Sequence, residues 1–155
     1  MILSHFSASP FKLDPSRKYS LKVDMKPRGL WLSDESQDES WSAWCRAENF
    51  YLGNLAHRQD FDLDTTRVKL LQSPQDILDF SREFNVRAPW EDESGCPRLF
   101  HFLDWPEIAS RWAGLVITPY IWECRLRVMW YYGFDCASAC IWDLSCLSPC
   151  ENHRP

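Results

Sequence analysis

The chain has 155 residues, 45% of them hydrophobic and 25% charged, a composition that is typical of one globular domain and argues against disorder. Its net charge is −5, and without a run of basic residues it lacks the electrostatic footprint of a protein that binds duplex nucleic acid. Its apolar stretches are far shorter than the ~20 residues that span a membrane.

The aromatic content is unusual, at 15% of all residues with nine tryptophans among them. Rings this frequent supply large buried areas, and some of them can line a pocket for a flat ligand. Residues 1–10 lack the charged start and the long apolar segment of a signal peptide. These features predict a single cytoplasmic domain over residues 1–155, with residues 148–155 as a tail.

The chain has seven cysteines, four of which crowd its end as Cys136, Cys140, Cys146 and Cys150. A secreted disulfide framework would use an even number and a signal peptide, so we expect reduced and mostly buried thiols. The alternative is a zinc site, because these four cysteines follow a C-x3-C-x5-C-x3-C pattern. That spacing departs from the common C-x2-C knuckle, and the sequence therefore predicts no metal.

The first predicted elements are short strands. Residues 2–6 are apolar and precede Ser-Ala-Ser-Pro, which predicts a strand that ends in a turn. A polar connection over residues 15–26 follows, with an extended piece at residues 19–23. The turn signal Lys-Pro-Arg-Gly opens residues 26–33, and the Leu-Trp-Leu-Ser that completes them predicts a second strand.

A helix is predicted over residues 39–50. The acidic residues 34–39 favour the positive start of a helix, and we expect them to be solvated. Trp41 and Trp44 follow at three-residue spacing, which places both rings on the buried face of that helix.

Two further helices are indicated by their start signals. Ser73 is a capping residue followed by proline and an acid in the first turn, so a helix begins there and continues to Phe84. Asp104 and Glu107 have the spacing of a capping box, which predicts a short helix that ends near residues 112–114.

The remaining segments are predicted as strands and loops. Residues 62–71 and 115–117 are interpreted as strands, and residues 85–97 as a loop without periodicity. Residues 120–131 fit a helix or a long strand, and residues 139–147 alternate as a strand does. This order of elements predicts a single α+β domain with a split, mixed or antiparallel sheet flanked by short helices.

Two candidate site clusters lie near the ends of the chain. His5 lies within Ser-His-Phe at the end of the first strand, where it can hydrogen-bond a ligand hydroxyl. Residues 130–138 combine several rings with Asp135, and Asp143 follows shortly after. A carboxylate beside aromatic rings suits a site that breaks a glycosidic bond. A structural histidine and a well-packed terminal hairpin are the alternative interpretations.

A third cluster lies in residues 26–33. It offers close backbone approach, a stacking ring, a hydroxyl and a positive charge for a phosphate. The residues that supply these features are Gly29, Trp31, Ser33, and Lys26 or Arg28. An ordinary turn before a strand is the alternative interpretation.

The order of the three clusters resembles the ADP-ribosyltransferase superfamily, whose poly-ADP-ribose-polymerase-like and toxin-like branches arrange a histidine, an aromatic residue and a glutamate along the chain. The segment Gly29-Leu30-Trp31-Leu32-Ser33 is similar to the family's Gly-Ile-Tyr-Phe-Ala/Ser strand. The segment Trp41-Ser42-Ala43-Trp44-Cys45 is similar to the helix after it. The chain departs from the pattern with Phe6 after the histidine, where the family has glycine, and with aspartates as its late acids.

The resemblance implies an ADP-ribosyltransferase-like fold and NAD as the substrate. It implies that the nicotinamide–ribose bond is cleaved and that ADP-ribose passes to an unknown acceptor. His5 would contact the ribose, Trp31 would stack on nicotinamide, and Asp135 would act as the acid, with Asp143 as its rival. The predicted NAD-binding residues are His5, Arg28, Gly29, Trp31, Ser33 and Trp44. The toxin-like branch fits a bacterial or phage protein.

Other functions remain open at the level of sequence. A protein of the same fold can bind a nucleotide without cleaving it. A non-catalytic interaction or inhibitor protein can instead cover a basic partner surface with the acidic residues 34–39 and 91–93.

Overall fold

The computed structural model describes residues 1–86 and 100–150. The strands are β1 (Ile2–Ser7), β2 (Val23–Asp24), β3 (Leu30–Ser33), β4 (His57–Leu63), β5 (Lys69–Leu71), β6 (Asn85–Val86), β7 (Phe102–Asp104), β8 (Gly114–Ile117), β9 (Ser138–Ile141) and β10 (Leu147–Pro149). The α-helices are α1 (Trp41–Ala47), α2 (Pro74–Phe84) and α3 (Trp105–Arg111).

Most strands belong to one large sheet. Its order is β10-β4-β1-β3-β9-β8-β5, and β2-β7-β6 form a second, three-stranded sheet. Neighbouring strands of the large sheet are antiparallel, except for the parallel pair β5–β8. The expected α+β domain with a mixed sheet is therefore confirmed at the level of fold class.

The helices begin where their capping residues predict. The Ser73 side chain accepts a hydrogen bond from the backbone N–H of Asp76, and Asp104 accepts one from Glu107. These bonds satisfy N–H groups that have no partner within the helix. Helix α1 is shorter than predicted, because Ser40 caps it directly before Trp41 and Asn49 leaves the helical conformation with a φ of 51°.

Two predicted strands are interrupted by aspartates. Residues 62–71 contain the end of β4, a 3-10 turn and β5, because the Asp64 carboxylate accepts the backbone N–H of Thr66 and turns the chain. Residues 139–147 contain β9, a second 3-10 turn and the start of β10, and there Asp143 accepts the N–H of Ser145. In both places the aspartate side chain competes with the strand for backbone hydrogen bonds.

Residues 120–131 form neither of the predicted elements. They contain a 3-10 turn at Trp122–Cys124 and reach the start of another at Tyr131–Gly133. The Tyr131 hydroxyl accepts the backbone N–H of Ile121 across this segment, so tertiary contacts fix an irregular backbone that has no periodicity of its own.

The predicted loop and tail differ from the structure at their ends. Strand β6 occupies the start of the predicted loop 85–97, and residues 87–97 lie outside the described residues. At the end of the chain, Ser148 and Pro149 pair with β4, and the backbone N–H of Cys150 donates to the Asp60 carbonyl at 2.9 Å. Ser148 and Pro149 thus lie in β10, while residues 151–155 of the predicted tail lie outside the described residues.

The central strands of the large sheet are buried on both faces. In β8, Leu115 and Ile117 pack in one hydrophobic cluster and Val116 packs in the other. Because successive side chains of a strand point to opposite faces, this alternation places a core on each side of the sheet. Trp105 and Trp130 are fully buried in the first cluster, and each indole N–H finds an acceptor, the Asp24 carbonyl and the Ser81 hydroxyl.

The cysteines of the described ranges are free thiols. Cys45, Cys124, Cys136, Cys140 and Cys146 are buried, and Cys150 is half-buried. Within residues 1–86 and 100–150, no three or more His, Cys, Asp or Glu side chains are placed to hold a metal ion. The C-terminal cysteines therefore do not assemble the alternative zinc site in this part of the chain.

No helix among the described residues has the length and apolar character needed to cross a membrane.

Gly29 has a packing role that a substitution tests. A Cβ added at this position would lie 2.6 Å from the Ile141 carbonyl oxygen and 2.6 Å from the Cys140 Sγ, whereas nothing lies within 4 Å of one added at Gly53. We expect Gly29→Ala to lower the free energy of unfolding by roughly 1–3 kcal/mol, because β3 would have to move away from β9. Urea denaturation followed by circular dichroism measures this loss, and Gly53→Ala is the matched control. Equal stability of the two variants would contradict the close approach.

Candidate functional site

A cavity of about 250 Å³ opens beside β1 and β3. His5, Trp31, Ser33 and Asp135 line it, although more than a hundred residues separate the first from the last. The cavity thus brings together side chains from all three clusters singled out in the sequence, and it is the candidate functional site.

The register of three strands builds the floor of this cavity. Ser4 of β1 pairs with Ser33 of β3, and Ser33 pairs with Ser138 of β9. Paired residues of neighbouring strands share one face of a sheet, so the three serines form a row across it. All three are buried and line the cavity.

The serine hydroxyls are held by groups of the protein. Ser4 Oγ donates to Asp60 Oδ1 at 2.8 Å, and Ser33 Oγ donates to Glu35 Oε1 at 2.6 Å. Ser138 Oγ donates to the Cys136 carbonyl at 3.1 Å. Ser33 Oγ also accepts the Trp41 backbone N–H at 2.8 Å, so the acceptor lone pairs offered to a ligand are mainly those of Ser4 and Ser138.

His5 has a defined tautomer. Its Nδ1 lies 3.0 Å from the Trp31 carbonyl oxygen, and because a carbonyl oxygen only accepts, Nδ1 carries the proton. The imidazole ring also packs against Phe11, with ring centroids 4.4 Å apart. In the described part of the chain no hydrogen bond engages Nε2, which is the ring nitrogen left for a ligand hydroxyl.

The Trp31 ring forms one wall of the cavity, and the ammonium group of a lysine lies over its face. The Trp31 ring meets Phe134 edge-on at 5.2 Å between centroids, and Lys26 Nζ lies 4.5 Å from the Trp31 centroid. Burial of the ammonium lowers the pKa of Lys26, and the Asp135 charge opposes this shift. A flat ligand stacked on this face has to displace the ammonium from the Trp31 ring.

Asp135 is held in place by an arginine. Its Oδ1 accepts from Arg125 Nη2 at 2.9 Å, and Arg125 Nη1 donates to the Tyr120 hydroxyl at 2.7 Å. The Asp135 side chain is 28% exposed, and among the described residues no hydrogen bond engages its Oδ2. The guanidinium orients the carboxylate and leaves one oxygen free to face a ligand.

Several predicted site residues lie outside the cavity lining. Arg28 is exposed, and Gly29 lies against β9, so neither lines the cavity. Trp44 stacks on Trp41 at 5.2 Å between centroids, and of these two rings Trp41 is the one that lines the cavity. Asp143 caps a 3-10 turn and pairs with Arg67 Nη2 at 2.7 Å, away from the cavity.

The acidic residues 34–39 are less solvated than predicted. Asp34 is only 5% exposed and accepts from Thr118 Oγ1 at 2.6 Å. Glu35 is half-buried and accepts from the hydroxyls of Ser33 and Ser42 at 2.6 and 2.5 Å. These two carboxylates do not line the cavity. Through these hydrogen bonds they stabilise the segments that do.

Sequence reasoning missed Asn54, a lining residue that belongs to none of the three clusters. Asn54 lies in a 3-10 turn at Leu52–Leu55 that packs between β1 and α1. No local pattern places this turn near His5, because only the packing of these elements brings them together.

Comparisons with known proteins identify no matching family model, no similar curated protein and no similar solved structure.

The thiol in the cavity is predicted to be unreactive. Burial raises the pKa of Cys136 to about 12, so at pH 8 only ~1 in 10⁴ of these thiols is ionised. We expect iodoacetamide at pH 8 to leave Cys136 unmodified in the folded protein and to alkylate it after unfolding in guanidinium. Peptide mass spectrometry measures both states, and rapid alkylation of the folded protein would show that Cys136 is an accessible thiolate.

Proposed function

We propose that this protein binds NAD in the cavity, cleaves the bond between nicotinamide and ribose, and transfers ADP-ribose to an acceptor. The observation that carries the proposal is the convergence of His5, Trp31 and Asp135 on one cavity. In the ADP-ribosyltransferase-like pattern these are the residues for the ribose, the nicotinamide ring and the reacting carbon. The comparisons neither support nor oppose this assignment.

The size of the cavity suits the reacting part of NAD. An apolar cavity of about 150 Å³ accommodates benzene, so a cavity of about 250 Å³ has room for an aromatic ring and part of a sugar. The Trp31 face already attracts the ammonium of Lys26, and the positively charged nicotinamide ring of NAD is drawn to the same face by the same quadrupole.

The proposed chemistry uses charge stabilisation. As the C–N bond to nicotinamide breaks, its electron pair leaves with the neutral ring and positive charge develops at the anomeric carbon. The Asp135 carboxylate, held by Arg125, stabilises that charge because it is already oriented before the reaction. His5 Nε2 accepts a hydrogen bond from a ribose hydroxyl. The acceptor then attacks the anomeric carbon with a lone pair and gives up its proton to Asp135.

The second candidate function is nucleotide binding without cleavage. It is favoured by the internal hydrogen bonds at the site, since Ser4, Ser33 and Asp135 all have partners within the protein. For the inhibitor alternative, Asp34 is buried and Glu35 accepts hydrogen bonds within the protein, so among residues 34–39 Asp38 is the exposed carboxylate left for a partner. Residues 91–93, its other proposed contact, lie outside the described residues.

A pair of aspartate substitutions tests the proposal. We expect Asp135→Asn to lower the rate of nicotinamide release from NAD by on the order of 10²-fold or more, because it removes the charge beside the anomeric carbon. Asp143→Asn is the matched control, since it changes a nearby aspartate that caps a turn and pairs with Arg67 outside the cavity. It should keep the rate and change the melting temperature little, because asparagine also caps a helical turn and an exposed ion pair contributes little to stability.

Three results are decisive in this experiment. Full activity of Asp135→Asn would show that Asp135 is not the catalytic carboxylate. NAD binding without release by the wild-type protein would select the binding function. No release and no thermal shift with NAD would reject both.

A further inference from the structure

Four aromatic residues form a continuous cluster beside the cavity. Trp41 and Trp44 are stacked at 5.2 Å between centroids, and Phe50 meets both rings edge-on. Tyr51 meets Phe50 edge-on at 4.3 Å. We call these four residues the aromatic shelf.

The outer end of the aromatic shelf is open to solvent. Phe50 is 40% exposed and Tyr51 is 64% exposed, and the next residue, Leu52, is 47% exposed. The backbone that presents them is unusual, because Asn49 and Tyr51 have positive φ angles of 51° and 45°. Side chains other than glycine adopt this region at a cost, which is frequently found where a functional surface is held in place.

The aromatic shelf is continuous with the cavity. Trp41 belongs to the shelf and also lines the cavity. The backbone N–H of Asn54, another lining residue, donates to the Tyr51 carbonyl at 2.8 Å. The shelf and the cavity lining are therefore adjacent at Trp41 and Asn54.

The size of the cavity requires such an extension if the proposed function holds. A volume of about 250 Å³ accepts one ring and part of a sugar, whereas a dinucleotide carries a second sugar, two phosphates and a purine. The part of NAD that carries the purine must therefore lie outside the cavity, on the surrounding surface. Exposed aromatic side chains can stack on any nucleobase, because every base has a π-face.

We propose that the aromatic shelf is the stacking site for a purine base, carried by a ligand whose other end fills the cavity. The inference rests on the proposed function, because NAD supplies both ends. Tyr51 is the residue on which the base stacks, since it is the most exposed ring of the shelf. Phe50 packs against Tyr51 and Trp44 packs against Phe50, and Trp41 joins the two subsites.

Three ligands test binding at the cavity and at the aromatic shelf separately. NAD carries both ends, nicotinamide mononucleotide carries only the cavity end, and AMP carries only the purine end. Quenching of tryptophan fluorescence, titrated at low temperature to limit turnover, gives a dissociation constant for each. We expect NAD to bind the wild-type protein at least tenfold more tightly than nicotinamide mononucleotide.

Substitutions at Tyr51 assign the difference to the shelf. Tyr51→Ala should weaken NAD and AMP binding about tenfold, the loss of one stacked base, and leave nicotinamide mononucleotide unchanged. Tyr51→Phe should retain the affinity, because it keeps the ring. The matched control is Leu126→Ala, which removes an apolar side chain that is 79% exposed and does not line the cavity, and it should leave all three affinities unchanged.

Failure of the inference is distinct from failure of the proposed function. If NAD is cleaved and Tyr51→Ala binds NAD as the wild-type protein does, the shelf is wrong and the function stands. If AMP binds through Tyr51 but NAD is not cleaved, the shelf stands and cleavage is wrong. If neither NAD nor AMP binds the wild-type protein, both are wrong.

Discussion

The pairing of β1, β3 and β9 is the constraint on which the candidate site depends. Ser4, Ser33 and Ser138 lie opposite one another in that register, and a slip of one residue would turn each of them to the other face of the sheet. His5 and Trp31 are fixed by the same pairing, because the His5 ring reaches the Trp31 carbonyl on the neighbouring strand. The sheet therefore sets the positions of the β1 and β3 residues in the cavity, whereas Asn54 and Asp135 reach it from segments outside the sheet.

Carboxylates behind the cavity hold this arrangement together. Asp60, Glu35 and Asp34 each accept a hydrogen bond from a hydroxyl on another element. A buried hydroxyl or carboxylate without a partner would be costly, so each bond ties a strand or helix to its neighbour. Asp135 is held in the same way by Arg125, but it differs in facing the cavity. The site thus consists of strands held in place by these hydrogen-bonded carboxylates, with the oriented carboxylate of Asp135 at its edge.

The abundant aromatic residues have three different environments. Trp105 and Trp130 fill the core and satisfy their indole N–H groups there. Trp31 and Phe134 form a wall of the cavity. Phe50 and Tyr51 remain exposed on a backbone with positive φ angles nearby. Composition alone predicts that rings are important, and only their surroundings distinguish core from ligand surface.

The sequence by itself determined the features that arise from local interactions. Ser73 and Asp104 predicted the starts of two helices because a capping side chain acts on backbone groups two or three residues away. The short apolar runs of β1, β3 and β8 were also recognisable, since alternation and turn residues are local. Asp64 and Asp143 carried a local signal for the turns that interrupt two strands, and that signal was outweighed by the apolar residues around them.

Tertiary structure alone decided which of these features meet. The sequence singled out His5, Trp31 and Asp135 by residue type, but their convergence depends on a strand register that no local pattern encodes. Arg125, which orients Asp135, lies in a segment without periodicity whose backbone is fixed by the Tyr131 hydroxyl. Gly29 and Trp44 carried the right chemistry and lie outside the cavity lining, because packing against β9 and against Trp41 determines their positions. Local interactions specify elements, and contacts between residues distant in the chain specify the site.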